Sequence, residues 1–223
     1  MAIKQSIEAS KVRICIIDYG MGNHQSVRNA LERIGCEVEV SANPKKLLGS
    51  DGLILPGVGA FGEAMYKLHE YKLIDPLMKA VIEDQKPLLG ICLGMQLLAD
   101  NSSEGGGAQG LSLIPGVVTK IPESVGLRLP HMGWNDISIR IRNPIFDKTP
   151  DKSAFYFVHS YHLECDSRYI SAVTEHGINI AAAIQREHIF GVQFHPERSQ
   201  RKGLHLLSNF IDFVALRATF AGK

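Results

Sequence analysis

Short β-branched runs alternate with amphipathic stretches through the first half of the chain. Residues 12–18, 37–40 and 52–55 have the apolar, branched composition of strands, whereas 23–34, 61–71 and 73–84 space their apolar residues as helices burying one face. Such alternation predicts a parallel sheet flanked by helices. Residues 87–91, Pro-Leu-Leu-Gly-Ile, are apolar without alternation, as in a strand covered on both faces. They are expected at the centre of the sheet.

After residue 100 the pattern changes. Residues 101–107 are polar and glycine-rich and read as a flexible surface loop, and the segments beyond are mostly strands divided by turn residues. Segments 180–187 and 189–194 flank a hairpin near His188, and 201–214 form a closing amphipathic helix. The fold predicted is α/β: a mostly parallel central sheet flanked by helices, with additional antiparallel strands in the C-terminal half. A single domain is expected over 11–223, preceded by a flexible extension at 1–10.

Composition narrows the function. With 45% hydrophobic residues in 223, the chain can bury a sizeable core within one domain. Twenty-four basic residues against 23 acidic ones leave a net charge of +1, so charge gives no reason to expect nucleic acid or an anionic membrane as partner. A small neutral or zwitterionic substrate fits better. The first ten residues lack the apolar core of a secretory leader, and no apolar run approaches the ~20 residues that span a bilayer. A cytoplasmic protein is expected.

The four cysteines, Cys15, Cys36, Cys92 and Cys165, are widely spaced with no CxxC pair, which argues against a zinc site and a disulfide framework. His159 and His162 have H-x-x-H spacing but would point to opposite faces of a strand. Neither metal nor cofactor is expected. Cys15, Cys36 and Cys165 lie in strand or strand-edge settings and read as inert thiols.

Cys92 differs. Gly90-Ile91-Cys92-Leu93-Gly94 follows an apolar strand directly and precedes a helical pattern over 95–99. Glycines two residues to either side permit a tight strand-to-helix turn that presents the sulfur at the carboxyl end of a parallel sheet. The exposed N–H groups of a helix start favour a thiolate and can donate to an oxyanion. Taken singly, the same pattern could be a packing solution.

A thiol nucleophile needs a base and a group that orients the base. Phe194-His195-Pro196-Glu197 offers both at the end of another apolar strand. If Pro196 keeps the backbone extended, His195 and Glu197 project on one side, and the carboxylate can hold one imidazole nitrogen while the other faces sulfur. Alone, His-Pro-Glu could equally be a turn. Leu55-Pro56-Gly57-Val58-Gly59 also ends a strand, and its glycines let backbone N–H groups approach a substrate carbonyl, although such a turn can be only a turn.

Gly90-Ile91-Cys92-Leu93-Gly94-Met95-Gln96 together with Phe194-His195-Pro196-Glu197 resembles the paired signature of the class I glutamine amidotransferases, and the similarity runs from about Ile14 to Phe213. The resemblance implies a flavodoxin-like glutaminase fold with Cys92, His195 and Glu197 as catalytic triad. It implies an oxyanion hole from Gly57, Val58 and Leu93, and glutamine held by Gly57, Gly59, Gln96, His159, Ser160 and Tyr161. Within that family, Asp18-Tyr19-Gly20-Met21-Gly22-Asn23, Pro130-His131-Met132-Gly133-Trp134-Asn135 and residues 155–161 resemble the glutaminase subunits of imidazole glycerol phosphate synthases. Those subunits pass ammonia to a separate (β/α)8 cyclase, and the resemblance puts Asn23 and Trp134 at that interface. Trp134, in a turn-like setting, could otherwise be a core aromatic.

His24, where the family more often has an apolar residue, and the glycine-rich 101–110 loop depart from the pattern. Three other readings stay open: a paralogous glutaminase feeding a sugar-modifying synthase, a silent regulatory domain, and a stand-alone cysteine hydrolase of γ-glutamyl compounds.

Overall fold

A computed structural model of the chain describes residues 12–123 and 128–221, so the extension expected at 1–10 lies outside the described residues. In chain order the elements are β1 (Arg13–Ile17), α1 (His24–Arg33), β2 (Glu37–Ser41), α2 (Pro44–Gly49), β3 (Gly52–Gly57), α3 (Phe61–Glu70), α4 (Ile74–Met78), β4 (Leu88–Cys92) and α5 (Leu93–Gln96). There follow β5 (Asn101–Ser102), β6 (Ala108–Gln109), β7 (Gly116–Lys120), β8 (His131–Ile139), β9 (Ser153–His159), β10 (Tyr161–Cys165), β11 (Ile170–His176), β12 (Ile178–Arg186), β13 (Ile189–Val192) and α6 (Gln200–Ala221). The helical stretch expected over 73–84 is α4 continued by a π turn, Lys79–Glu83.

The main sheet has nine strands in the order β2-β1-β3-β4-β13-β12-β11-β8-β9. From β2 to β13 every neighbouring pair is parallel. From β13 to β9 every pair is antiparallel. A smaller sheet, β10-β7-β5-β6, packs beside it. The expected division into a parallel half and later antiparallel strands is therefore present, and β4 is an interior strand buried at every position.

Strand alternation sorts the core into two layers. Ile14 and Ile16 of β1 pack with Val27 and Leu31 of α1 and Leu207 and Phe210 of α6. Cys15 and Ile17, the residues between and after them, pack with Leu47 of α2, Phe61 and Leu68 of α3 and Leu77 of α4.

Several segments differ from expectation. The helical pattern at 95–99 stops at Gln96, after a single turn, because the chain closes into turns through Leu98 N–H to Met95 O (3.2 Å) and Ala99 N–H to Gln96 O (3.0 Å). The closing helix runs to Ala221 rather than 214. The glycine-rich segment is tied down instead of loose: it forms β5 and β6, and Glu104 accepts the Phe61 N–H at 2.7 Å. That bond caps α3, whose own cap residue, Ala60, has no side chain able to accept.

The short helix α5 lies directly on β3. A Cβ at Gly94 would stand 1.7 Å from the Leu55 carbonyl oxygen, which is backbone and cannot turn aside. Gly49, at the end of α2, has open space around a Cβ. Gly94→Ala is therefore expected to lower unfolding free energy by about 3 kcal/mol or more, and Gly49→Ala to change it by about 1 kcal/mol or less. Urea midpoints of the two variants measure the contrast, and equal midpoints would contradict this packing.

Candidate active site

β4 and β13 are parallel neighbours with Ile91 opposite Val192, so their carboxyl ends deliver Cys92 and the segment after Val192 to one place. Cys92 has φ 55° and ψ −109°, a left-handed backbone that costs a side-chain-bearing residue about 1–3 kcal/mol. The expected tight turn is thus formed. The thiol donates weakly to Val158 O (3.8 Å) and accepts from Gln193 Nε2 (3.7 Å).

His195 and Glu197 meet, though not along an extended strand. β13 ends at Val192, and Pro196–Arg198 forms a single 3-10 turn after His195. Within this turn His195 Nδ1 donates to Glu197 Oε1 at 2.8 Å, with both side chains almost wholly buried. Ser199 holds the turn in place: its hydroxyl donates to His195 O (2.6 Å) and accepts from Tyr156 N–H (3.0 Å).

Burial opposes a charge on His195, but Glu197 and the neighbouring sulfur favour the proton more strongly, and the imidazole is pushed up to about 10. No Cys92–His195 hydrogen bond meets normal limits, and Nε2 is buried without a hydrogen-bond partner. The other thiols differ in kind: burial pushes Cys15 and Cys36 up to about 12 and Cys165 up to about 11, which leaves them unreactive.

Gly57 stands opposite Cys92 in the β3–β4 ladder. A Cβ there would meet Tyr19 Oη at 2.5 Å and Leu93 Cβ at 2.9 Å, so only glycine lets this strand end lie against the start of α5. Val58 follows and is 44% exposed. Tyr19, fully buried, donates its hydroxyl to Pro56 O at 2.9 Å and fixes the peptide entering this turn. Burial, and then the charge of Cys92, hold its phenol well above the usual range. A narrow cleft lined by Asn23, Pro56, Val58, His195 and Glu197 connects the turn to the base.

Of the other residues singled out, Gln96 is buried and donates to Tyr161 O (2.9 Å) and Gln193 Oε1 (3.0 Å). His159 sits beside it with both ring nitrogens engaged inside the protein, by Tyr161 O and by His131, each at 2.9 Å. Trp134 is in the middle of β8 rather than in a turn, and it is 50% exposed. It meets the Tyr156 ring edge-on at 6.2 Å, and Arg198 lies over that ring at 4.5 Å. Met132, two residues earlier, is 61% exposed. Asn23 is exposed and caps α1 by accepting from Ser26 N–H at 3.4 Å. His24 stands 3.7 Å from the Asp18 carboxylate.

Sequence reasoning missed Tyr19, Gln193 and His131. Gln193 lies two residues before His195, so strand parity offered a signal. Tyr19 and His131 lie within segments that the resemblance singles out, but their contacts involve partners distant in sequence.

A strained strand-to-helix cysteine beside a buried His–Glu pair, at the carboxyl edge of a parallel sheet, is the arrangement of a thiol amide hydrolase. The model of the glutamine amidotransferase class-I family matches residues 15–213, and the chain belongs to that family. Subunit HisH 1 of imidazole glycerol phosphate synthase from Campylobacter jejuni (strain RM1221) is 47% identical over 198 residues, covering 89% of this chain and 98% of that protein. Subunit HisH of the same synthase from Moorella thermoacetica is 47% identical over 202 residues, covering 90% and 95%. Among solved structures, PurLQS from Thermotoga maritima superposes with a TM-score of 0.71 at 20% identity, over 92% of this chain and 99% of that one, a likeness of fold.

The raised His195 value has a testable sign. It stands above the ordinary 6.5, so the stability it carries is complete below about pH 6.5 and is lost as pH rises through about 10. Glu197→Gln is expected to move the His195 titration, followed by NMR, to lower pH and to bring the alkaline loss of stability down with it. An unchanged titration would mean that Glu197 does not hold the imidazolium.

Proposed function

We propose that this chain is the glutaminase subunit of an imidazole glycerol phosphate synthase, hydrolysing glutamine to glutamate and ammonia for a separate cyclase. The observation that carries the reading is the meeting of Cys92, on its left-handed turn, with the His195–Glu197 pair at the ends of adjacent parallel strands. The identity to HisH subunits over almost their whole length supports this synthase among the family's uses.

The residues take the following parts. The Cys92 thiolate attacks the carbon of the glutamine side-chain amide, and the oxyanion accepts backbone N–H bonds from Val58 and Leu93 across the Gly57 contact. Protonated His195 gives its proton to the departing nitrogen, and ammonia leaves behind a γ-glutamyl thioester. His195 then takes a proton from water, whose oxygen attacks the thioester carbon, and the thiolate is released with glutamate. Glu197 holds the imidazole tautomer throughout.

With both amide hydrogens of Gln96 directed inward, its Oε1 is the atom left to accept from the substrate ammonium. The inward ring of His159 leaves the backbone of 159–161, with Ser160 and Tyr161, to line the glutamine beside Gly57 and Gly59. The cyclase, a (β/α)8 barrel, covers the face bearing Asn23, Met132 and Trp134 and receives the ammonia. There it forms imidazole glycerol phosphate and aminoimidazole carboxamide ribotide. No cofactor enters these steps. The reaction belongs to the cytoplasm, in keeping with four cysteines that remain thiols.

Cys92→Ala is expected to lower glutamine-dependent synthesis by the two-subunit complex at least about 10⁴-fold, while synthesis from added ammonium continues. Glutamine turnover near the normal rate in that variant would refute the nucleophile. Ammonia transfer to the acceptor, a ribulosyl-phosphoribosyl aminoimidazole carboxamide nucleotide, distinguishes this synthase from a sugar-modifying one. Trp134→Ala is expected to weaken cyclase binding by about tenfold or more, as for a buried aromatic anchor, and unchanged affinity by titration calorimetry would move the interface elsewhere.

A further inference from the structure

A continuous chain of polar contacts runs from β8 to the nucleophile, and its direction is set at one atom. The Tyr161 carbonyl oxygen can only accept, and it receives His159 Nδ1–H and Gln96 Nε2–H, each at 2.9 Å. With its proton on Nδ1, His159 must accept at Nε2, and the donor is His131 Nδ1 at 2.9 Å. His131 must then accept at Nε2, which it does from Asn135 Nδ2 at 3.0 Å. Asn135 gives its other amide hydrogen to Glu175 O at 2.8 Å. Burial depresses His131 to about 4 and His159 to about 3, so both rings stay neutral at ordinary pH and keep these tautomers.

On the other side of Tyr161 the same logic continues. The second amide hydrogen of Gln96 goes to Gln193 Oε1 at 3.0 Å. Turning either amide over would set oxygen against oxygen at Tyr161, or NH2 against NH2 between the two glutamines. Gln193 is therefore left with its NH2 directed at Cys92 Sγ, 3.7 Å away. It is 0% exposed, so no bulk water competes for its amide hydrogens. Of the sulfur's other neighbours, the imidazolium of His195 favours a thiolate, whereas Val158 O suits a thiol and disfavours a thiolate.

We propose that Gln193 is a donor to the nucleophile sulfur that stabilises its thiolate, and that His131 and His159 are positioning residues that hold this donor in orientation through Gln96. The inference rests on Cys92 being the nucleophile of the proposed glutaminase. Gln193 touches the sulfur and not the glutamine, so its removal acts on the rate of attack rather than on substrate affinity. A donated N–H favours the charged form of its acceptor, and the thiolate is the form that reacts.

The test compares wild type with Gln193→Met, which keeps the length and loses the donor, in the full chain. Iodoacetamide labelling of Cys92 is followed against pH, with Cys92→Ala as blank, and glutamine kinetics are measured in the complex with the cyclase. The expected result is labelling about tenfold slower at neutral pH, with the midpoint of the profile about one pH unit higher. The turnover number should fall about tenfold while KM stays within about twofold. His131→Phe, which keeps the ring stacked on Phe157, should shift the labelling profile in the same direction by about threefold in rate.

A Gln193→Met protein that melts normally and labels with the wild-type profile overturns the proposal. Should that variant not fold, the wild-type chain labelled with ¹⁵N-glutamine gives the answer. A side-chain amide resonance lost in Gln193→Glu or Gln193→Asn that moves with thiol titration supports the contact, and the absence of any amide resonance following that titration overturns it. Failure of the glutaminase reading is seen separately, as glutamine turnover retained by Cys92→Ala.

Discussion

The left-handed backbone at Cys92 is held by the sheet around it, and most of the site follows from how that is done. A side-chain-bearing residue at φ 55° is strained, and it persists only if its neighbours leave no relaxed alternative. Gly90 and Gly94 bring the turn back on itself, with a Cβ on Gly90 falling 2.7 Å from Gly94 O. The start of α5 is pressed against the Leu55 carbonyl on one side and against Gly57 on the other. The contact of the β3 end with the start of α5 at Gly57 and Leu93 is thus a by-product of the packing that holds Cys92 in its turn. Tyr19 stiffens the arrangement from beneath through Pro56 O.

The sheet divides its labour at β13. Its parallel half supplies the convergent strand ends that place Cys92, Gly57 and His195. Its antiparallel half supplies the β8–β9 ladder, which puts Trp134 opposite Tyr156 on an outer face and His131 opposite His159 on an inner one. Alternation along β8 makes this separation automatic: His131 points inward, while Met132 and Trp134 are exposed. Arg198, in the turn that carries His195 and Glu197, reaches the Tyr156 ring, so the exposed aromatic pair and the buried base share one support.

Much of this was legible in the sequence because it depends on short-range pattern. The uninterrupted apolar run before Cys92 announces an interior strand, and the glycines around it announce the turn. Strand parity puts His195 and Glu197 on one side, and they do meet at 2.8 Å, but through a 3-10 turn instead of an extended strand. What could not be read depends on contacts between distant residues. The segment at 101–107 looks loose by composition, yet the Glu104 carboxylate finds a helix start 43 residues away and fixes it. Trp134 sits between Gly133 and Asn135, residue types common in turns, but pairing with β9 keeps it in a strand. The role of Gln193 emerges only when Gln96 and Tyr161, remote in the chain, are brought together.

The place of β13 also bears on the order in which the chain is made. This strand is among the last to be synthesised, yet it lies between β4 and β12 in the interior of the sheet, and the base of the site follows directly from it. While the chain is emerging, β4 has only β3 as a partner, and Cys92 has neither His195 nor Gln193 beside it. The thiol is thus without its activating groups through most of translation, and reactivity arrives with the insertion that joins the two halves of the sheet. With the roles proposed above, completion of the fold and arming of the nucleophile become a single event.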